Sequence, residues 1–169
     1  DNKYKFGVGF YKEVDEVVVG ANPLKDGSMT LEALVYPTDS KTGYIFSVNS
    51  SIYYLWRYSN NSLFFRLQGE YHPPAGNKPA TWDYCDASTP AASFLPGAWH
   101  HVVAVYDADK DNGPNEQKGE QYIYIDGVKM GVTPKAKKFG LCKSISGQNL
   151  TVGTGSDWIG YKITRPFGG

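Results

Sequence analysis

The feature that most constrains this chain is the spacing of its apolar residues. No window carries a convincing 3.6-residue apolar period. Short apolar runs of four to eight residues recur instead, separated by Gly, Pro, Asn and Asp, which is the pattern of an antiparallel sandwich or barrel. The runs are "KYKFGVGF" (3–10), "EVVVG" (16–20), "MTLEALVYP" (29–37), "YIFSVN" (44–49), "IYYLWRY" (52–58), "SLFFRLQ" (62–68), "WHHVVAVYD" (99–107), "QYIYID" (121–126), "VKMGV" (128–132), "LTVGTG" (150–155) and "DWIGYKI" (157–163). The 13 Tyr, 19 Gly and 10 Pro agree with this reading, because Tyr suits a pleated, half-buried surface and Gly and Pro mark turns.

Strand alternation predicts the facing. Leu31, Ala33 and Val35 fall on one side, with Glu32 and Leu34 on the other. Leu63, Phe65 and Leu67 oppose Phe64, Arg66 and Gln68, and Tyr54, Trp56 and Tyr58 oppose Arg57. The run 101–106 is apolar at both parities and predicts a central strand covered on both sides. Asn60-Asn61 and Asp126-Gly127 suit primed hairpin turns. Residues 69–98 and 107–120 read as two long connections, and loops of that length are usually functional or disordered.

Composition excludes some partners. The chain has 169 residues, a comfortable length for one domain. Its 17 basic and 17 acidic residues balance, so no basic field draws in nucleic acid or anionic lipid. The cluster "KAKK" (135–138) is short and reads as a solvated turn. No apolar run approaches a membrane span of roughly 18 residues. Nothing at the N-terminus resembles a signal peptide, so the chain reads as cytosolic, or as a mature or trimmed form. Three N-x-S/T triplets at Asn49, Asn60 and Asn149, with many Tyr and few Cys, fit export. Cys85 and Cys142 lack zinc-ligand spacing and are either free thiols or one disulfide.

The chemistry-bearing residues are few. "KEVDEVVVG" (12–20) puts Glu13 and Asp15 on one side of a strand, but Val17 takes the third place and Glu16 points away. A retaining glycosidase needs two carboxyl groups about 5 Å apart, and the E-x-D-x-E pattern of sandwich glucanases is incomplete here. His72, His100 and His101 are the three histidines, and no G-x-S-x-G accompanies them. His100 and His101 read as hydrogen-bonded packing residues. Asp107, Asp109 and Asp111 alternate in "DADKDNG" and offer hard oxygen ligands to calcium. The Gly comes one residue late for an EF-hand and Lys118 takes its twelfth position. That leaves a looser calcium site beside the alternative of a solvated loop. Tyr71, His72, Trp82 and Tyr84 cluster in the first long connection, and Tyr58 and Arg66 flank it on the preceding strands. Flat rings stack on sugar faces while Arg, Gln and Asp bind hydroxyls. Trp56 and Trp99 are expected in the core.

Several segments, in this order, resemble one family. "MTLEALVYP" is similar to its f-T-i-E-a-W-v-y-P strand, with Leu34 in place of Trp. "GYIFSVNSS", "LPGAWHHVVAVYD" (the W-h-H-V hallmark), "YIYIDGVKMG" and "LTVGTG" follow. Together they resemble the laminin-G-like, concanavalin A-like jelly roll over roughly residues 6 to 169, read as a single domain (1–169). The resemblance implies an all-β, two-sheet antiparallel sandwich with a concave face. It implies a non-catalytic carbohydrate-binding module, exported to the periplasm, cell surface or medium, as one part of a multidomain protein. The same fold also serves protein adhesion, and its relatives include hydrolases and lyases, which here would need Glu32, Arg66 and a Tyr converging in one cleft. The family usually closes with an F-x-G-x-I-D-E-V strand, whereas this chain reads "RPFGG", as a module lacking its last strand would.

Overall fold

A computed structural model describes residues 17–21, 28–48, 53–77, 79–108, 110, 119–132 and 149–152, with 17–21, 69–71, 82–83, 132 and 149–152 described by their backbone alone. Among the described residues there is no helix and there are ten strands. They are β1 (Val17–Ala21), β2 (Met29–Val35), β3 (Gly43–Val48), β4 (Tyr53–Arg57), β5 (Leu63–His72), β6 (Thr81–Ser88), β7 (His100–Asp107), β8 (Glu120–Ile125), β9 (Val128–Val132) and β10 (Asn149–Val152). Every pairing is antiparallel, in the order β1-β10-β3-β4-β5-β6-β9-β8-β7-β2.

The ladder is continuous but nearly breaks in the middle. β6 meets β9 through the single pair Ser88–Val132. An ideal Cβ on the neighbouring Gly131 would sit 2.9 Å from the Ser88 carbonyl oxygen, so the backbones touch where only Gly fits. On either side of this corner lie two layers, β1-β10-β3-β4-β5-β6 and β9-β8-β7-β2. Their inward residues form one cluster. Ile45, Phe46, Val48, Tyr53, Leu55, Leu63, Phe65 and Leu67 come from the first layer, and Met29, Val102, Ala104, Tyr106, Ile123 and Ile125 from the second. Two faced sheets with one core make a jelly-roll-like sandwich, as the alternation predicts.

The predicted facing holds on β2, β4 and β5. The run 101–106 differs: Val102, Ala104 and Tyr106 are buried, but His101, Val103 and Val105 are half-exposed. β7 lies inside the sheet between β8 and β2, and its β-branched outer residues satisfy pairing without needing a second covering layer. Trp99 also departs from the core expectation, at 59 % exposure. It shares the outward parity of His101 and packs edge-on against Tyr36, with ring centroids 5.5 Å apart. Trp56 is buried, but on the outer side of β4 rather than in the cluster between the layers.

The connection 69–98 is not one long loop. β5 runs on to His72, and 81–88 forms β6, paired with β5 from Phe64–Ser88 to His72–Thr81. Its polar alternation hides it from an apolar-run reading, because its outer positions hold Tyr84, Asp86 and Ser88. The part after β6, 89–98, is pinned down. Leu63 N–H donates to Thr89 Oγ1 at 2.9 Å, and Phe94 N–H donates to the Asn61 carbonyl at 2.9 Å. Phe94 is fully buried beside the guanidinium of Arg57, which lies 5.6 Å from its ring centre and donates to Asn61 Oδ1 at 2.6 Å.

The two turns split. Asp126 and Gly127 both have positive φ, 53° and 79°, as a type I′ hairpin needs. At 58–62 only Asn61 does, at 59°. There Tyr58 C=O accepts from Asn61 N–H and Tyr58 N–H donates to the Ser62 carbonyl, which makes a three-residue loop rather than a primed two-residue turn. Ser62 N–H and Oγ–H both donate to Asn60 Oδ1 and fix that loop.

Candidate functional site

The outer side of β3–β6 carries a connected set of rings. Tyr44 packs on Tyr54 and Trp56, with centroids 5.3 and 4.4 Å apart. Trp56 meets Tyr58 at 6.2 Å, and Tyr58 meets Phe64 at 5.7 Å. Alternation produces this assembly, because 54, 56 and 58 on β4 and its end and 64, 66 and 68 on β5 all turn away from the core. The register then sets Tyr54 opposite Arg66, and Trp56 opposite Phe64.

Only part of this side is open. Tyr44, Ser47, Trp56 and Gln68 are buried, whereas Tyr58 (42 %) and Tyr84 (46 %) are exposed. What solvent reaches is a strip across the outer side of β4, β5 and β6: Tyr54, Tyr58, Phe64, Arg66, Tyr84, Asp86 and Ser88. At its centre Arg66 and Asp86, directly paired across the strands, form a fork. Nε donates to Oδ1 and Nη2 to Oδ2, both at 2.7 Å. The guanidinium lies 4.5 Å from the Tyr84 ring centre and 5.1 Å from that of Phe64. Tyr54 is the direct partner of Arg66 across β4 and β5. The Asp86 hydrogen bonds push the Arg66 pKa above its ordinary value against the opposing effect of burial, so the cation is permanent. Burial raises the Tyr54 phenol, with Arg66 pulling the other way. A bidentate pair held between rings is rigid, because two of the five guanidinium donors are fixed on one carboxylate.

Of the residues expected at a site, Tyr58, Arg66 and Tyr84 lie on this strip. His72 is exposed at the far end of β5, beyond a bulge between Gln68 and Tyr71. Tyr71 pairs with Trp82 in the backbone register, two positions along β6 from Tyr84, and both side chains lie outside the described residues. Asp86, Phe64 and Ser88 were not anticipated. Their signal is the alternation Tyr84, Asp86, Ser88 in "TWDYCDAS", visible once that segment is read as a strand.

The other candidates separate. Asp107 ends β7, half-buried and opposite Glu120, whose carboxylate accepts a short hydrogen bond from the Tyr122 hydroxyl. Asp109 and Asp111 lie outside the described residues, as do Glu13, Asp15 and Glu16 with the rest of 11–16, Cys142, Asn49 and "KAKK". Among the described residues, no three His, Cys, Asp or Glu side chains gather as a metal site. Glu32 accepts from or donates to His101 Nε2 at 2.8 Å according to their protonation, on the outer side of the second layer. Arg66 is on the outer side of the first, so Glu32, Arg66 and a Tyr do not converge. Cys85 is a buried free thiol, pushed up to about 12 first by burial and then by Asp86. His100 sits with Nδ1 2.8 Å from Asp126 Oδ2 and Nε2 3.0 Å from the Leu95 carbonyl. It is the hydrogen-bonded packing residue expected.

No curated protein sequence matches the chain. The fold is similar to that of the Ruminococcus gnavus IT-sialidase CBM40 bound to alpha2,3 sialyllactose, with a TM-score of 0.50 and 15 % identity, over 86 % of this chain and 71 % of that one. At that identity the likeness is one of fold. The sequence model of the concanavalin A-like lectin/glucanases superfamily matches residues 12–169. With the paired strands, the two-layer core and the W-H-H-V and Y-I-D-G segments in their places on β7 and β8, the chain belongs to the concanavalin A-like lectin/glucanases superfamily.

Proposed function

We propose that this domain is a non-catalytic carbohydrate-binding module that holds a glycan along the β5–β6 strip. The observation that carries the reading is the strip itself. Exposed Tyr58 and Tyr84 offer flat faces for the C–H surface of a pyranose ring, and between them Arg66 and Asp86 present fixed donors and acceptors in the plane where sugar hydroxyls lie. Tyr71, Trp82 and His72 extend the proposed set along the same hairpin, on the strength of their register. The carbohydrate-binding neighbour of similar fold supports the class of ligand. The non-catalytic assignment is supported by the separation of Glu32 from Arg66 and by the closed Arg66–Asp86 fork, which leaves neither group poised as an acid or base. Export, attachment to further domains, and calcium at Asp107, Asp109 and Asp111 belong to the same proposal.

A glycan array followed by affinity electrophoresis on plant, algal and host polysaccharides tests it. Binding is expected, and it weakens in Tyr84→Ala. Absence of binding by folded protein across the panel overturns it.

A second reading rests on a different surface. Leu34 (60 % exposed), Tyr36 and Trp99 line the outer side of the other layer, an apolar group that suits protein adhesion. Trp99→Ala separates the two, since it leaves glycan binding intact and abolishes adhesion to a protein partner.

A further inference from the structure

We infer that the strip selects neutral glycans and discriminates against carboxylated ones. This rests on the carbohydrate-binding reading above and names the ligand class of the same site. Among the described side chains of the outer β3–β6 side, Arg66 is the one cation and Asp86 the one anion, and they are bonded to each other. The other described residues there (Tyr44, Ser47, Tyr54, Trp56, Tyr58, Phe64, Gln68, Tyr84 and Ser88) are aromatic, hydroxyl or amide side chains.

A site that captures a sugar carboxylate by an arginine needs the guanidinium fork unengaged, because its value lies in two parallel N–H donors aimed at two oxygens. Here Nε and Nη2 already make that contact with Asp86, and the rings of Tyr84 and Phe64 lie over the group. A second carboxylate approaching Arg66 meets Asp86 as well, so the attraction of the cation is offset by repulsion from an anion at nearly the same distance. A neutral sugar meets no such opposition. Each Asp86 oxygen accepts one hydrogen bond from Arg66 and retains lone-pair capacity for a sugar O–H. Ser88, exposed on the next outward position of β6, adds a hydroxyl that both donates and accepts. Asp86 is thereby a specificity-determining residue, since it cancels the charge of Arg66 and supplies the acceptor.

The test is calorimetric titration of wild-type protein with neutral hexose oligomers, and with oligogalacturonate and sialyllactose as carboxylated probes, at low and high salt. The expected result is binding of at least one neutral oligomer about tenfold or more tightly than either acidic probe, with little salt dependence. Asp86→Asn leaves Arg66 uncompensated and narrows that ratio several-fold in favour of the acidic probes. Wild-type protein that binds a carboxylated probe as tightly as any neutral one overturns the selectivity while leaving the carbohydrate-binding reading intact. Protein that binds no probe of either kind overturns that underlying reading, and the selectivity with it. The wild-type comparison decides by itself if Asp86→Asn does not fold.

Discussion

The two outer sides of the sandwich use similar residues to different ends. On the β3–β6 side, rings and charges are interleaved: Arg66 lies against Tyr84 and Phe64 and is forked onto Asp86. On the β2–β9 side the ion pair lies open to water, and the charge–ring contact among the described residues is a single lysine. Leu34, Tyr36 and Trp99 stand at the β2–β7 edge, the His101–Glu32 pair is exposed, and Lys129 caps the ring of Tyr122 at 3.6 Å. An exposed pair such as His101–Glu32 is worth little, because water competes for both partners. A pair set between rings has fewer competitors and a fixed geometry. The first side therefore holds its polar groups in a fixed geometry, whereas the second combines an exposed apolar group with loosely held charges.

Six variants sharpen or break that contrast. Phe65→Ala removes a fully buried ring beneath the strip and is expected to cost about 3–5 kcal/mol in chemical denaturation, the largest effect, because the cavity lies in the core both sides share. Gly131→Ala drives a methyl group into the Ser88 carbonyl at the corner joining the layers. A loss of roughly 1–3 kcal/mol is expected, read as a lowered midpoint. An unchanged midpoint would show that the corner yields easily.

Tyr84→Ala is expected to weaken glycan binding about five- to tenfold by titration, with Trp99→Ala within about twofold of wild type. Equal losses from both would erase the distinction between the two sides.

Asp126 gives a pH-dependent case away from the strip. The His100 ring and then the His101 N–H hold its carboxyl below the usual carboxylate range. A depressed folded-state pKa means that its stabilising contribution is present above the unfolded value, about 3.9, and is lost as pH falls through the folded value. Wild type and Asp126→Asn are expected to differ in stability at pH 6 and to converge below about pH 4. A gap that persists at low pH would assign the effect to packing. Last, Leu34→Ser should change stability by less than about 0.5 kcal/mol, since its side chain is exposed.

Much of the fold was legible because burial is periodic. The alternation of Leu31, Ala33 and Val35, and of Leu63, Phe65 and Leu67, needs no distant information, and each residue faces the core as read. β6 was illegible for the converse reason. "TWDYCDAS" buries only Cys85 and Ala87 among its described side chains, too little apolar signal to separate a strand from a polar loop. Trp99 was misplaced because a large ring suggests a core, whereas its parity one residue before β7 turns it outward. At the site, Arg66, Tyr58 and Tyr84 could be named as residue types suited to sugars, but Asp86 could not be tied to Arg66 across 20 residues.

The sequence by itself determined the all-β class, the side-chain alternation on β2, β4 and β5 and the Asp126-Gly127 turn, because these follow from nearest-neighbour geometry along the chain. Only the tertiary structure decided that Arg66 and Asp86 neutralise each other, that Tyr84 stacks on their pair, and that Glu32 lies on the opposite side of the sandwich. Those relations depend on strand register and on which sheet face turns outward, and both are set by packing two layers around one core.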